Sequence, residues 1–231
     1  MKKATFNGPA VETLTPPVDV TAEQQAIVAM AASLLLDYPE VCAEDEWNTR
    51  LTAIEDALAS LPETIADDLR AFLDAARARG ARRLAQHYVD IFDHKRRCSL
   101  YLSYYAVGDT RQRGTAILAF GDALRASGCE LARRELPDHL CVVLEAIASV
   151  DDPSTLVDLL RAHRDGIEVL RASLESFDSP YHHVIAAITQ MLPLMDDETT
   201  HRFLSLVRQG PPAELVGIAD TTLPLAEVTH S

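Results

Sequence analysis

The chain has 231 residues, of which 48% are hydrophobic and only 6% aromatic, and its formal net charge is −14. This length allows one large domain with a substantial core, and a composition rich in Ala, Leu, Arg, Asp and Glu but poor in Gly favours helices over strands. A surface of this charge repels polyanions, which argues against nucleic acid as a partner, and it attracts cationic peptides.

The cysteines and the N-terminal region indicate a cytoplasmic protein. The four cysteines, at positions 42, 98, 129 and 141, form no C-x-x-C pair, so a zinc site or a redox motif has no support. The N-terminus starts with two lysines but lacks the apolar region of a signal peptide. The longest apolar run covers 11 residues, 26–36, well below the ~20 needed to cross a bilayer. We expect no membrane insertion and no bound cofactor.

Helical periodicity begins after residues 1–20, which we expect to form a disordered arm. Thr21 and Gln24 match a capping box at the first helix start. Gly80 separates two further apolar stripes. The pattern predicts nine helices and one short helical stretch (98–107); the helices cover about residues 21–38, 47–58, 65–76, 81–93, 110–128, 140–148, 153–174, 180–192 and 198–208.

The sixth predicted helix has the most regular apolar face. Its apolar residues recur at the spacing of an amphipathic helix: Leu140, Val143, Leu144, Ile147 and Ala148. Asp152-Pro153 and Ser179-Pro180 are typical helix starts. No segment alternates like a strand. We therefore predict an all-α fold, a single-domain helical bundle over residues 21–209, followed by a flexible C-terminal tail over 210–231.

One segment has a spacing that metal ligands can use. His87, Asp90 and His94 lie at i, i+3 and i+7, on one face of a predicted helix. An alternative function is therefore a metal-dependent all-α hydrolase. The polar face of an amphipathic helix explains the same spacing, and no motif assembles a nucleophile, a base and an oxyanion hole. We favour a protein that is not an enzyme and holds no metal. His163 falls on an apolar stripe, which indicates a hydrogen-bonded core histidine.

Basic residues concentrate in the middle of the chain. Residues 94–134 contain eight lysines and arginines against three acidic residues, within a strongly acidic chain. Ordinary solvated helix faces explain this distribution. A basic patch for an anion or for the acidic edge of a partner explains it equally well. The patch residues are Lys95, Arg96, Arg97, Arg111 and Arg113.

Two further segments have features of both the apolar core and a recognition surface. The stretch SLYLSYYAV, residues 99–107, is either core or one wall of a groove for a peptide helix. Pro137-Asp138-His139 precedes the sixth helix. Pro137 suits a first helical turn and Asp138 the positive end of the helix dipole. His139 is not needed for either role and remains open to recognition.

Four stretches together resemble a known family: ASLLLDYPE (32–40), HYVDIFDHKRRCSLYL (87–102), GDTRQRGTAI (108–117) and RELPDHLCVVLE (134–145). They are similar to the nitrate reductase molybdenum cofactor assembly chaperones, the NarJ or delta-subunit family, within the TorD/DmsD-like redox-enzyme maturation chaperones. The resemblance covers about residues 25–195. Cys141 stands where the family pattern has a second proline.

The resemblance implies an all-helical, TorD-like, cytoplasmic chaperone without catalytic activity. Its expected partner is the N-terminal peptide of the apo catalytic (alpha) subunit of a respiratory nitrate reductase, and cofactor-biosynthesis proteins are further candidate partners. Such a chaperone allows insertion of the molybdenum cofactor before the enzyme is complete. Tyr88 and Phe92 match a family Tyr-x-x-x-Phe segment, and His139 matches a Pro-x-His segment. Residues expected to bind the client peptide are Tyr88, Phe92, Leu100, Tyr101, Tyr104, Asp138 and His139.

Overall fold

The computed structural model describes residues 14–40, 42–108, 111–129 and 135–194. In these ranges the α-helices are α1 (Ala22–Leu36), α2 (Glu44–Ala57), α3 (Glu63–Tyr88), α4 (Leu102–Val107), α5 (Gln112–Ala126), α6 (Leu140–Ser149), α7 (Ser154–Ala162), α8 (Arg164–Ser176) and α9 (Tyr181–Gln190). Extended pairing in the same ranges is limited to one isolated bridge between Tyr101 and His139. The predicted all-α fold is confirmed. The predicted helix over 198–208, residues 1–13 and the tail over 210–231 lie outside the described residues.

The start of α1 follows its sequence pattern. The Thr21 hydroxyl oxygen accepts a hydrogen bond from the Gln24 amide at 3.2 Å, and the Gln24 side-chain oxygen accepts one from the Thr21 amide at 3.0 Å. This reciprocal arrangement satisfies two amides that a helix start otherwise leaves unpaired. The predicted capping box is confirmed.

The third and fourth predicted helices are the two segments of α3, which meet at a kink. Gly80 lies at the kink with φ +70° and ψ 159°, which is outside the helical region, so α3 consists of two helical segments that meet there. Glycine adopts this left-handed conformation without the steric cost that a Cβ brings. The chain direction therefore changes at Gly80 without a loop. After α3, Val89–Asp93 continue as a π-helix, a wider turn common at functional sites.

The prediction of one helix over about 153–174 is wrong. It divides at His163 into α7 and α8. The apolar stripe continues across the break through Leu160 and Ile167, so periodicity alone does not reveal it. The His163 ring is 4% exposed, and its Nδ1 lies 2.8 Å from the carbonyl oxygen of Leu159. The interpretation of His163 as a hydrogen-bonded core residue is confirmed.

Helix α9 lies at the centre of the bundle. It packs against α1, α3 and α8, and α1 also packs against α6. All residues of α9 except His182 and His183 are buried. The apolar face of α6 is buried as its stripe predicts, with Val143 and Leu144 at 0% exposure. No helix in the described ranges is both long and apolar enough to cross a membrane.

Residues 14–20 lie extended against the bundle, and we call them the strap. Thr15 donates from its amide (2.8 Å) and its hydroxyl (3.1 Å) to the two carboxylate oxygens of Glu168. Arg164 donates to the Thr15 carbonyl oxygen, and the Val18 amide donates to the Gln190 carbonyl oxygen at 2.8 Å. These residues were expected to belong to a disordered arm, and the structure instead gives them hydrogen bonds to α8 and α9. The outer domain boundaries stay a prediction.

Candidate functional site

A cavity of about 350 Å³ opens between the end of α3, the segment before α4 and the segment before α6. We call it the aromatic cavity. Its lining combines four aromatic rings with charged and small side chains: Tyr88, Phe92, Tyr101 and Tyr104, then Asp93, Lys95, Arg96, Arg113 and Glu135, then Ser99, Leu100 and His139. Residues far apart in sequence therefore share one concave surface.

An isolated β-bridge joins two of the segments that form the cavity. The Leu140 amide donates to the Leu100 carbonyl oxygen at 2.8 Å, and the Leu102 amide donates to the Asp138 carbonyl oxygen at 2.9 Å. The bridge places Tyr101 opposite His139, and their rings meet edge to face with centroids 5.1 Å apart. The backbone thus fixes the relative position of the tyrosine-rich segment and the Pro137-Asp138-His139 segment.

The aromatic wall of the cavity belongs to a larger cluster. The ring centroids of Tyr88 and Phe92 are 4.6 Å apart, and Phe92 lies 4.9 Å from Tyr181, which is fully buried on α9. Phe92 comes from the π-helix that follows α3. Burial raises the pKa of the Tyr88 hydroxyl well above its ordinary value. The wall is therefore supported from behind by the core and stays uncharged.

The other side of the cavity is polar. The Tyr101 hydroxyl donates to Glu135 Oε1 at 2.8 Å, and the Arg113 guanidinium lies 5.4 Å from the centre of the Tyr101 ring. Partial burial, and then the hydrogen bond to Glu135, raise the pKa of Tyr101 to about 12. Desolvation opposes ionisation of Glu135, but hydrogen bonds from Tyr101 and from the Leu136 amide outweigh it, so the pKa of Glu135 lies below its ordinary value. Glu135 is therefore ionised and already accepts hydrogen bonds from Tyr101 and the Leu136 amide.

Six of the seven residues predicted to bind a client peptide line the aromatic cavity. Asp138 does not. Its side chain is fully buried behind the bridge, where Ser103 Oγ donates to its Oδ2 at 2.5 Å. The sequence interpretation of Pro137 and Asp138 as parts of the first helical turn is also wrong, because α6 begins at Leu140 with His139 as its N-cap. The local role of Asp138 is to hold α4 against the segment before α6.

The predicted basic patch divides between the cavity and the open surface. Lys95, Arg96 and Arg113 line the aromatic cavity. Arg97 and Arg111 are exposed outside it. The cationic side chains at the rim are therefore a subset of those that the sequence groups together.

Sequence reasoning did not single out Asp93, Ser99 or Glu135 as cavity residues. Each lies inside a stretch used for the family resemblance; Asp93 and Ser99 lie directly beside a predicted site residue, and Glu135 lies three positions before Asp138. That adjacency was an available signal. No pattern in the sequence indicates that Tyr181 supports the aromatic wall of the cavity, because Tyr181 comes from a distant part of the chain.

The hydrolase alternative has no support in the described part of the chain. The His87 ring lies 2.9 Å from Ser179 Oγ, while His94 and Asp90 are mostly exposed and 3.6 Å apart. Burial, and then the charge of Arg79, lower the pKa of His87. Among the described residues no group of three or more His, Cys, Asp or Glu side chains is placed to hold a metal ion.

Comparison with known proteins places this cavity in a family context. The family model described as nitrate reductase delta subunit matches residues 55–187, more than half of the chain. The nitrate reductase-like protein NarX of Mycobacterium tuberculosis (strain H37Rv) is 36% identical over 171 residues, which cover 74% of this chain and 25% of NarX. The chain thus corresponds to about a quarter of that relative.

Two shorter relatives match over most of their length. The probable nitrate reductase molybdenum cofactor assembly chaperone NarJ of Bacillus subtilis (strain 168) is 27% identical over 173 residues, or 73% of this chain and 91% of the relative. The nitrate reductase molybdenum cofactor assembly chaperone NarJ of Escherichia coli (strain K12) is 30% identical over 155 residues, or 67% of this chain and 65% of the relative. All cavity-lining residues fall within the segment that the family model matches.

Proposed function

This chain belongs to the nitrate reductase delta subunit family, and from that premise we propose that it is a chaperone for molybdenum cofactor assembly in a nitrate reductase. Family membership confirms the resemblance drawn from the four sequence stretches. The names of the two NarJ relatives support the proposal. In this proposal the protein has no catalytic activity, works in the cytoplasm and binds the catalytic subunit of the reductase before its cofactor is inserted.

The observation that carries the proposal is the convergence of family-matching stretches on the aromatic cavity. Tyr88 and Phe92 come from one stretch together with Leu100 and Tyr101, and His139 comes from another, yet all line one concave surface. Rigid aromatic rings with polar edges favour binding of a peptide at little cost in conformational entropy. The cavity therefore suits recognition better than catalysis.

We propose that the client's N-terminal segment binds in this cavity as an amphipathic helix. Apolar side chains of the helix would pack on Tyr88, Phe92 and Tyr104. The net charge of −14 attracts a basic segment at long range, whereas Lys95 and Arg96 make the rim locally positive. The positive rim at Lys95 repels basic residues of the peptide. The peptide should therefore bind in the orientation that places its basic residues away from Lys95.

The proposal predicts a specific defect in cells. A strain that lacks this chain is expected to accumulate the reductase catalytic subunit without molybdenum cofactor, and the wild-type gene should restore loading. Molybdenum content per purified catalytic subunit is the measurement. Reductase that is fully loaded in the deletion strain would show that the chain has a different function.

A matched pair of variants connects this defect to the cavity. Tyr104→Ala truncates a ring in the cavity, while Leu118→Ala changes a leucine that is 59% exposed on α5 and outside the cavity. Only the first should fail to restore loading when both proteins are present at equal levels. Equal restoration by both would place the client site elsewhere.

A further inference from the structure

A segment of this same chain beyond α9 has the chemistry that the aromatic cavity is proposed to recognise. Residues 199–213 contain two arginines and no acidic residue, within a chain of net charge −14. Between these arginines, Phe203, Leu206 and Val207 have the i, i+3, i+4 spacing that places side chains on one helix face. We call residues 202–208 the client-like segment, because it combines an apolar face with flanking basic residues, as the proposed client peptide does.

The described chain ends at Leu194, next to the start of α8. Arg164, the first residue of α8, donates to the Leu192 carbonyl oxygen, and Arg161 Nη2 donates to the Leu194 carbonyl oxygen at 3.1 Å. Residues 195–231 lie outside the described ranges. The chain that leads to the client-like segment therefore starts from a fixed point at the junction of α7 and α8.

Helix α8 connects that junction to the aromatic cavity. Phe177 follows its last turn, and the ammonium group of Lys95, a residue that lines the cavity, lies 5.4 Å from the centre of the Phe177 ring. Helix α8 has 13 residues and is about 20 Å long at the usual helical rise. Residues 195–202, when extended, span up to about 26 Å. Phe203 is therefore within reach of the cavity.

The lining of the cavity complements the client-like segment. Tyr88, Phe92 and Tyr104 offer aromatic surface to its apolar face. Asp93 lines the same cavity, is exposed and makes no ion pair within the described ranges, so its carboxylate can accept hydrogen bonds from an arginine. The cavity therefore provides both an apolar wall and an anion for this segment.

We propose that residues 202–208 bind in the aromatic cavity of their own molecule and compete there with the client's N-terminal peptide. The competition rests on the function proposed above, whereas the contact within the molecule does not. Because the segment is tethered, it acts at an effective concentration on the order of millimolar, so a weak contact is enough to occupy the cavity. A client peptide must displace it, which selects for clients that bind more tightly.

Photo-crosslinking in the full chain tests the contact without a client. A p-benzoylphenylalanine side chain in place of Phe203 is irradiated, and mass spectrometry identifies the residues to which it is joined. We expect crosslinks to residues of the aromatic cavity within the same molecule. The control, p-benzoylphenylalanine in place of Leu223, should give none at these residues. A mixture of isotopically light and heavy chains distinguishes crosslinks within one chain from those between two copies.

Calorimetric titration of the client's N-terminal peptide tests the competition. The double variant Phe203→Ser, Leu206→Ser should bind the peptide about tenfold more tightly than the wild type, since a cavity occupied for roughly nine-tenths of the time lowers the apparent affinity by that factor. The double variant Leu223→Ser, Leu225→Ser makes the same chemical changes outside the client-like segment and should bind like the wild type.

The two experiments distinguish failure of this inference from failure of the proposed function. Crosslinks that form only outside the cavity or only between chains overturn the inference, and so does equal peptide affinity of the wild type and the Phe203→Ser, Leu206→Ser protein. Both results leave the client proposal intact. Crosslinks in the cavity without peptide binding to any of the proteins support the contact and overturn the client proposal.

Discussion

The hydroxyl of Tyr101 donates a hydrogen bond to Glu135 Oε1 at 2.8 Å, although the two residues lie 34 positions apart. The bond closes the polar side of the aromatic cavity, and the β-bridge between Tyr101 and His139 lies beside it. Together they make the segments before α4 and before α6 one structural unit. The shape of the cavity therefore depends on contacts distant in sequence.

Tyr101→Phe should destabilise the protein by about 1 kcal/mol at pH 7, because it removes this hydrogen bond and leaves the ring in place. The effect should depend on pH. The folded-state pKa of Glu135 lies below its ordinary value, so its stabilising contribution is present above that ordinary value and is lost as the pH falls through the folded-state pKa. Urea unfolding of wild type and variant at pH 7 and in acid gives both quantities.

Tyr38→Phe is the matched control for Tyr101→Phe. The Tyr38 side chain is 51% exposed, and its hydroxyl makes no hydrogen bond within the described ranges. Its removal should change the free energy of unfolding by less than about 0.5 kcal/mol. Equal effects of the two substitutions at pH 7, or a pH-independent effect of Tyr101→Phe, would contradict the assigned role of Glu135.

Gly166 allows α4 and α8 to approach closely. A Cβ built on Gly166 would lie 2.6 Å from the Cβ of Tyr105, whereas one on Gly114 of α5 meets nothing within 4 Å. Gly166→Ala should therefore destabilise by about 1–3 kcal/mol through overpacking. Gly114→Ala should stabilise by up to about 1 kcal/mol, because alanine has the higher helix propensity. Denaturant unfolding of both variants measures these opposite changes in the free energy of unfolding. If both variants were more stable than the wild type, the contact between Gly166 and Tyr105 would be loose.

The Gly166 substitution should also affect the aromatic cavity. The Tyr105 hydroxyl donates to the Ser99 carbonyl oxygen at 2.9 Å, and Ser99 lines the cavity. Displacement of Tyr105 therefore moves the cavity wall. We expect Gly166→Ala, but not Gly114→Ala, to weaken binding of the client's N-terminal peptide under conditions where both variants are folded.

Leu144→Ala should cost about 2–5 kcal/mol in the free energy of unfolding, because Leu144 is fully buried and the change leaves a cavity. Leu118→Ala provides the same chemical change at a side chain that is 59% exposed, and it should cost less than about 0.5 kcal/mol. Reversible thermal or urea unfolding compares the pair. A loss below about 0.5 kcal/mol at Leu144 would mean that the α6 face is not core.

Substitutions of Arg96 and Arg97 distinguish a specific contact at the aromatic cavity from a general effect of positive charge. Both are exposed, but only Arg96 lines the aromatic cavity. Arg96→Ser and Arg97→Ser should each leave the Tm nearly unchanged. Only Arg96→Ser should lower capture of the apo catalytic subunit in a pull-down at low salt. Equal loss for both would indicate long-range attraction, and no loss for either would remove the hypothesis that the patch binds the partner.

Local patterns in the sequence predict the helices well where each pattern is self-contained. The Thr21 capping box and the α6 stripe depend on residues within one or two turns, and both are confirmed. The break at His163 was missed because the apolar stripe continues through it. Gly80 is predicted to end a helix, and the backbone leaves the helical conformation at this residue, although the next helical segment follows without a loop.

Polar residues with distant partners could not be placed from sequence. Glu168 on α8 is fully buried because Thr15, 153 positions away, donates to it and Arg171 pairs with it. Arg164 and Arg171 lie one helical turn from Glu168 and pair with it, but pairs of this spacing are also common on exposed helix faces, so they do not indicate burial. In the candidate site, too, some residues are predicted by local motifs, whereas their arrangement depends on distant contacts. The cavity residues Tyr88, Phe92 and His139 came from motifs, whereas the backbone bridge that sets their geometry, and the buried position of Asp138, needed the fold.

We propose that the aromatic cavity binds the N-terminal segment of the nitrate reductase catalytic subunit. Calorimetric titration of that peptide into wild type, Tyr104→Ala, His139→Ala and the control Leu118→Ala tests it most directly. We predict that Tyr104→Ala weakens binding by on the order of 2 kcal/mol or more, as truncation of an aromatic anchor does, that His139→Ala also weakens it, and that Leu118→Ala binds like the wild type. Folded Tyr104→Ala and His139→Ala proteins that bind the peptide as tightly as the wild type would contradict the claim.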